Sequence, residues 1–254
     1  MKRNVLILIG LVLVGLISCE KDSSQAKVMD TREKHLIEFR EINGMTTTIT
    51  TFSYDDKKRL SAIRKGKELT TYTYTGNQLT SIDVNDGDVH NYSEITYKNN
   101  YPATGTTSMY IADVLKRKLN YEYFSTLSRT EQINISETGS STKRHYYEYE
   151  NANIISQIAI SNRVFTNYEL EYGDKKNVFF NASIRWPLAM EKFDRVSTNE
   201  ILRIKTETAV GIHQRSFSYI YDADGMPMSA IVTDTDPPSR MEYKSTITYT
   251  YDYL

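Results

Sequence analysis

Residues 52–63 read Phe-Ser-Tyr-Asp-Asp-Lys-Lys-Arg-Leu-Ser-Ala-Ile, and this stretch decides the fold. Phe52 and Tyr54 are two residues apart, the spacing that puts both rings on one face of a β-strand. The charged residues that follow have the composition of a turn, and Leu60 and Ile63 then open a second apolar segment. The stretch therefore predicts two strands joined by a short polar turn.

The same unit recurs along the chain. Three further clear copies are Tyr72-Thr-Tyr74 with Leu79 and Ile82, Tyr147-Glu-Tyr149 with Ile155 and Ile158, and Tyr219-Ile-Tyr221 with Met228 and Ile231. Weaker copies begin at Ile95, Tyr121 and Leu170, and the chain ends on Tyr249-Thr-Tyr251-Asp-Tyr253. The copies lie about 20 to 30 residues apart, which indicates a repeated supersecondary unit, with a double gap between Tyr172 and Tyr221.

Two dipeptides predict further turns. Asn43-Gly44 and Asp86-Gly87 each separate two apolar stretches, and such pairs favour a type I′ hairpin turn because both central residues then need positive φ. We therefore expect an all-β protein, a long antiparallel up-and-down meander of about a dozen or more strands. The two edge strands of such a sheet can be protected if the sheet curves or closes into a barrel-like form, or if it folds into a sandwich. In an open sheet they stay exposed.

Helix is expected to be scarce. Ile111, Val114, Leu115 and Leu119 have helical spacing, which predicts one or two helical turns there. A similar pattern follows Pro187. Because that second pattern falls in the double gap, we expect an irregular insertion near residues 180–200.

The N-terminus has the parts of an export signal. Lys2 and Arg3 precede an apolar run, residues 5–17, and Ser18 precedes Cys19, the only cysteine. The run is short for a transmembrane helix. It resembles a bacterial lipoprotein signal, in which the cysteine is lipidated and becomes the new N-terminus. Two or more acyl chains give stable membrane anchoring.

These features divide the chain into a signal peptide (1–18), a lipidated flexible tether (19–33) and a single β-meander domain (34–254). Removal of the signal takes the formal charge from −1 to −3. A mildly acidic domain without a basic cluster is a poor nucleic-acid binder, so we expect none as partner. Residues 20–25 resemble the export tag of Bacteroidetes-type surface lipoproteins. That resemblance implies outer-membrane anchoring with cell-surface exposure; a periplasm-facing anchor is the alternative.

The strands themselves do not suit a bilayer. Over residues 140–150, one face would carry Lys143 and the other Arg144 and Glu148. A cationic side chain at the bilayer midplane costs about 2–4 kcal/mol in a transmembrane barrel. We therefore expect contact with the membrane only through the lipid on Cys19.

Two segments resemble a known repeat. Tyr54-Asp55 with Leu60 and Ile63, and Tyr221-Asp222-Ala-Asp-Gly with Ile231, are similar to the YD-type repeats of bacterial surface proteins. Together with the signal, the chain resembles a Bacteroidetes-type lipoprotein family of unknown function described as having a porin-like β fold. The resemblance implies a curved or barrel-like meander, and it implies no catalytic residues.

The residue patterns favour no enzyme. The four histidines have no metal-ligand spacing; they are His35, His90, His145 and His213. The acidic stretches 83–88 and 222–225 lack the ligand pattern of an EF-hand and suit hairpin turns. No serine-nucleophile motif or phosphate loop is present, although a spatial pair of carboxylates would leave no linear pattern. We expect no catalytic residue, metal or cofactor.

Tyrosine is the outlier in composition, with 20 residues against eight Phe and one Trp. Stacked aromatic faces can bind sugars or peptides, and they also pack across strands. The candidate ligand contacts are Tyr72, Tyr74, Tyr147, Tyr149, Trp186, Tyr219 and Tyr221. The leading hypothesis is a non-enzymatic binding or scaffolding module for a glycan, peptide or surface protein. The alternatives are a structural spacer or adhesion-like component, and a carrier of an apolar molecule inside a barrel lumen.

Overall fold

The computed structural model describes residues 33–126, 129–137, 142–162, 164–179, 197–235 and 241–254. These residues form sixteen β-strands. The strands are β1 (Lys34–Asn43), β2 (Thr46–Tyr54), β3 (Leu60–Lys65), β4 (Glu68–Thr75), β5 (Gln78–Asp86), β6 (Val89–Lys98), β7 (Tyr101–Ile111), β8 (Val114–Thr126), β9 (Arg129–Glu137), β10 (Lys143–Glu150), β11 (Asn153–Ser161), β12 (Val164–Lys176), β13 (Asn199–Thr208), β14 (Gly211–Tyr221), β15 (Pro227–Thr235) and β16 (Glu242–Tyr253).

The sheet is a closed antiparallel barrel. Each strand pairs with its neighbours in sequence, and β1 pairs with β16 to complete the circle, with Phe39 opposite Tyr249. No edge strand remains, so the sandwich and the open sheet are both wrong. The all-β prediction is confirmed, and none of the described residues is helical.

Along the strands, side chains that face the buried interior alternate with side chains that face outward. On β12, Leu170 is buried inside, while Glu169 and Glu171 are exposed outside. Across the β12–β13 pair, Glu169 accepts a hydrogen bond from Lys205 (Nζ–Oε2 3.0 Å), and Glu171 pairs with Arg203. These charged pairs lie in the middle of the outer wall, where a bilayer-spanning barrel would carry apolar residues.

Two apolar clusters occupy the interior. The first draws on β1–β6 and contains Leu36, Phe52, Leu60, Ile63, Tyr72, Leu79, Ile95 and Phe179. The second draws on β8–β13 and contains Tyr123, Ile133, Ile135, Tyr147, Ile154, Leu170 and Ile201. The first two copies of the repeated unit therefore place Leu60, Ile63 and Leu79 in the core, whereas Ile158, Met228 and Ile231 of the later copies are exposed.

Six tyrosines form a belt of hydrogen bonds at one end of the barrel, which we call the tyrosine end. Each hydroxyl donates to a backbone carbonyl of the preceding strand at 2.6–2.8 Å. The pairs are Tyr54–Leu36, Tyr74–Leu60, Tyr97–Leu79, Tyr149–Thr130, Tyr172–Ile154 and Tyr251–Pro227. Burial raises the pKa of Tyr97 to about 12, so its hydroxyl stays protonated and can donate.

The Tyr-Asp pairs close turns at the tyrosine end. Asp55 Oδ1 accepts from the backbone N–H groups of Lys57 and Arg59, each at 2.9 Å. Asp222 Oδ1 accepts in the same way from Asp224 and Met226. An Asp side chain commonly bonds to backbone two residues on. In both pairs the aspartate orders the turn that follows, but only Tyr54 belongs to the belt, because the Tyr221 hydroxyl donates to Glu200.

Two local predictions were wrong. The stretch expected to be helical runs through β7 and β8, because Ala112 and Asp113 have positive φ and form a two-residue turn between Ile111 and Val114. The Asn-Gly and Asp-Gly turns lie one residue later than expected. At the first, Asn43 pairs with Thr46, and of the two central residues only Gly44 has positive φ, as in type II′.

The double gap between Tyr172 and Tyr221 contains no missing repeat. Tyr172 lies on β12 opposite Ile201 of β13, and Tyr221 ends β14, so the two tyrosines are one hairpin step apart. The connection between β12 and β13 accounts for the extra length. The predicted insertion near 180–200 lies mostly outside the described residues.

Candidate functional site

The start of the β12–β13 connection projects into the barrel. Asn177 is buried and its N–H donates to Thr198 O at 3.0 Å, while its Oδ1 accepts from the N–H of Phe179 at 2.8 Å. These bonds turn the chain so that the Phe179 ring meets Phe52, with centroids 5.4 Å apart. The segment fills the lumen near the tyrosine end.

A cavity of about 310 Å³ lies beside this segment. Its walls come from β1–β4, β13–β16 and the inserted segment. The apolar lining residues are Phe39, Ile63, Val178, Phe179, Ile201, Ile204, Phe217, Tyr219, Val232, Ile247 and Tyr249. Its size and lining are those of a small-molecule site, for which volumes of about 300–1,000 Å³ are usual.

Charged side chains line the part of the cavity farthest from the tyrosine end. Lys65 and Glu68 are paired residues that flank the Gly66 turn. Glu41 accepts a hydrogen bond from Ser245 Oγ at 3.2 Å, and Arg215 forms two hydrogen bonds of 2.8 Å with Asp234. The cavity is therefore apolar near the tyrosine end and charged at its opposite end, and we call these charged residues the rim.

Glu200 is the one buried carboxylate among the described lining residues. It is 3% exposed, and its Oε1 accepts from the Tyr221 hydroxyl at 2.9 Å. Its Oε2 has no hydrogen-bond partner. Burial raises the pKa of Glu200, and the bond from Tyr221 opposes part of that rise. Neither the tyrosine pattern nor the surrounding sequence signals this residue.

The six described tyrosines among the candidate contacts all lie inside the barrel. Tyr72 and Tyr147 are buried in the two apolar clusters. Tyr74 and Tyr149 belong to the belt, with their hydroxyls bound to backbone carbonyls. These candidate ligand contacts therefore belong to the inner wall of the barrel.

The β14 tyrosines are the ones nearest the cavity. Tyr219 lines it and stacks between Phe217 and Tyr221, with centroid distances of 6.0 and 5.9 Å. Tyr221 holds Glu200. Trp186 and Cys19 lie outside the described residues.

Buried polar and aromatic side chains also pack on the other side of the lumen. Buried Gln157 donates to His145 Nδ1 at 2.7 Å, within the layer that contains Tyr147. Burial lowers the pKa of His145 to about 4, with Lys143 adding to the effect. His35 is also buried, whereas His90 meets Asp83 on the outer wall. Within the described ranges, no group of three or more His, Cys, Asp or Glu residues could hold a metal.

The two barrel ends differ in their turns. Turns at the tyrosine end are polar and include Asp56, Asn77, Asn100, Asn151 and Asp224. Exposed apolar residues lie at or beside the turns of the opposite end; they are Met45, Leu115, Phe165, Val210 and Tyr243. The charged rim of the cavity faces this apolar end.

The chain shares its barrel fold with two solved structures. A porin-like protein from Bacteroides uniformis ATCC 8492 matches with a TM-score of 0.59 and 15% identity, over 87% of this chain and 96% of its own. A porin-like protein from Bacteroides vulgatus ATCC 8482 matches with a TM-score of 0.54 and 11% identity, over 87% and 100%. At this identity the likeness shows the fold alone.

The other comparisons give no relative. No protein-family model matches the chain, and no curated protein matches its sequence. Among the described residues, no helix has the length and apolar character needed to cross a membrane. The fold is therefore an antiparallel porin-like barrel, and its chemistry must be argued from its own cavity.

Proposed function

We propose that this protein is a non-enzymatic, lipid-anchored binding protein of the outer membrane that holds a small, largely apolar ligand in its barrel lumen. The cavity beside Phe179 carries this proposal. A closed barrel could be filled with side chains throughout, yet space remains between β1–β4 and β13–β16. Aromatic and aliphatic walls with a few polar groups are typical of ligand sites.

The distribution of polarity supports the same proposal. A transmembrane porin has an apolar outer band and a polar lumen. Here the outer wall carries pairs such as Lys205–Glu169, and the lumen carries the apolar residues. The outer wall is thus suited to contact with water, and the lumen is suited to an apolar ligand.

The ligand experiment uses the chain with Cys19→Ala, purified without detergent and screened by thermal unfolding. The panel contains small aromatic compounds, fatty acids, peptides and glycans. A lumen ligand at a hundred times its dissociation constant should add about 2.7 kcal/mol of stability. Ile204→Phe, which narrows the cavity, should abolish the shift, and Ile158→Phe on the outer wall should leave it unchanged.

A structural spacer is the second candidate. It is favoured by the belt, because those tyrosine hydroxyls are bound to backbone carbonyls such as Leu60 O and are not free for a ligand. Absence of a thermal shift with every class of compound would support the spacer and contradict the binding protein.

The anchor is tested separately in cells. β1 begins at the tyrosine end, so a tether on Cys19 would join the barrel there, with the cavity rim at the other end. Cys19→Ala should release the protein from the membrane fraction while leaving its unfolding curve unchanged. Digestion by protease added to intact cells should distinguish surface display from a periplasm-facing anchor. Retention of the variant in membranes would contradict lipid anchoring.

A further inference from the structure

A buried carboxylate lines the cavity, and one of its two oxygens has no hydrogen-bond partner. Glu200 Oε1 is held by the Tyr221 hydroxyl, while Oε2 is buried and has no partner. The described part of the chain places no Lys or Arg in an ion pair with it. An ionised carboxylate buried without an opposite charge is costly, since burial removes its hydration.

The backbone makes room for this carboxylate. Gly173 of β12 lies against it, and a Cβ atom added at Gly173 would be 2.1 Å from Glu200 Oε1. Any other residue at 173 would therefore displace the side chain. The glycine, the tyrosine hydroxyl and the carboxylate together form a fixed site at the cavity wall.

The cavity around the carboxylate is aromatic. Phe179, Phe217, Tyr219 and Tyr249 line the same space. Aromatic faces attract cations, and more strongly where water is excluded. The volume of about 310 Å³ is roughly twice the ~150 Å³ cavity known to bind benzene, so a ligand with two fused rings fits.

We propose that Glu200 is the anchoring group of the lumen and that its ligand is a small aromatic amine, bound through its ammonium group. The ammonium would lie beside the Glu200 carboxylate and supply the missing opposite charge, while the rings would occupy the aromatic part of the cavity. This inference rests on the proposed function and adds the chemical class of the ligand.

The test compares three compounds with one ring system and different polar groups. Tryptamine, indole-3-ethanol and indole-3-acetate are titrated calorimetrically into the Cys19→Ala chain at pH 7. Tryptamine should bind at least about tenfold more tightly than the alcohol, which corresponds to about 1.4 kcal/mol, and the acetate should bind least. Glu200→Gln should bring the amine and the alcohol within about threefold of each other.

A matched variant separates local recognition from general charge. Glu41→Gln removes a carboxylate on the rim of the same cavity and should leave the preference for tryptamine intact. Circular dichroism and thermal unfolding establish that each variant is folded, and Glu200→Asp, which keeps the charge, should retain a reduced preference.

The outcomes distinguish the two proposals. Equal affinity for amine and alcohol, an unchanged preference in Glu200→Gln, or an equal loss in Glu41→Gln would each overturn the role of Glu200. If other apolar compounds bind in the lumen while tryptamine does not, only the amine inference fails. If no compound of the wider panel binds, the proposed function fails with it.

Discussion

The hydroxyl of Tyr74, on β4, donates to the backbone carbonyl of Leu60, on β3, at 2.8 Å. Tyr74 also pairs across its own turn with Leu79, whose carbonyl accepts from Tyr97. Each tyrosine therefore joins one hairpin to the next. In six strands, a tyrosine at the tyrosine end of the barrel thus satisfies a backbone carbonyl of the preceding strand.

Tyr74→Phe should destabilise the barrel. The variant keeps the ring but leaves the carbonyl of buried Leu60 without its partner, which costs about 1–3 kcal/mol. Chemical denaturation monitored by circular dichroism measures the loss. Tyr92→Phe is the control, because the Tyr92 hydroxyl meets Glu94 on the exposed outer wall at 3.3 Å. Equal losses in the two variants would contradict a special role for the belt.

Two-residue periodicity was sufficient to predict an antiparallel meander of about a dozen or more strands that pair in sequence order. It did not decide between a barrel and a sandwich, because closure depends on the pairing of β1 with β16, about two hundred residues apart. The helical spacing at Ile111, Val114 and Leu115 misled because two strand ends meet at a two-residue turn. Alternation is interrupted there, and the apolar residues fall by coincidence at intervals of three and four.

The cavity could not be predicted from sequence. Glu200 stands in Thr-Asn-Glu-Ile, an ordinary strand opening, and its partners Gly173 and Tyr221 are 27 and 21 residues away. Their meeting depends on the register shifts of the β12–β13 pair. Phe179 likewise follows no strand pattern, since its place is set by the hydrogen bonds of Asn177.

Gly173→Ala should destabilise the protein through one contact. The new Cβ would overlap Glu200 Oε1, and relieving such overpacking costs about 1–3 kcal/mol. The cost should largely disappear when the substitution is made in a Glu200→Ala background, which a double-mutant cycle measures. Gly105→Ala is the control: its Cβ would be 2.9 Å from the backbone oxygen of Glu94, so its cost should persist in both backgrounds.

Glu200→Gln should increase stability at neutral pH. Burial raises the pKa of Glu200 in the folded state, so folding favours its protonated form, and this contribution is lost as the pH rises above the ordinary value of 4.5. A neutral amide removes that loss and can still accept from Tyr221. At pH 7.5 the variant should therefore unfold at a higher denaturant concentration than the parent chain. Near pH 4 the two proteins should have similar stability. A gap that widens as the pH falls would contradict this account.

His145 should make the barrel sensitive to mild acid. Its folded-state pKa is about 4, below the ordinary 6.5, so between these values the unfolded chain binds the additional proton and stability falls as the pH falls. From pH 7 to pH 5 the loss from this group is about 2 kcal/mol.

His145→Leu tests this dependence. It lowers stability at every pH, because Gln157 loses its partner, but it should reduce the difference between pH 7 and pH 5 by about 2 kcal/mol. His35, whose pKa burial also lowers, contributes with the same sign and accounts for part of the remaining difference. His90→Gln on the outer wall is the control for general charge, and an equal effect in that variant would contradict a specific role for His145.

Phe179→Ala should enlarge the cavity at the expense of stability. The ring is 5% exposed and packs on Phe52, so its removal costs about 3 kcal/mol. Phe165→Ala on the exposed outer wall should change stability by less than about 0.5 kcal/mol. If the lumen is the binding site, the enlarged cavity should also accept three-ring compounds that the parent chain excludes. Calorimetric titration measures this, and an unchanged size limit in a folded Phe179→Ala variant would place the ligand elsewhere.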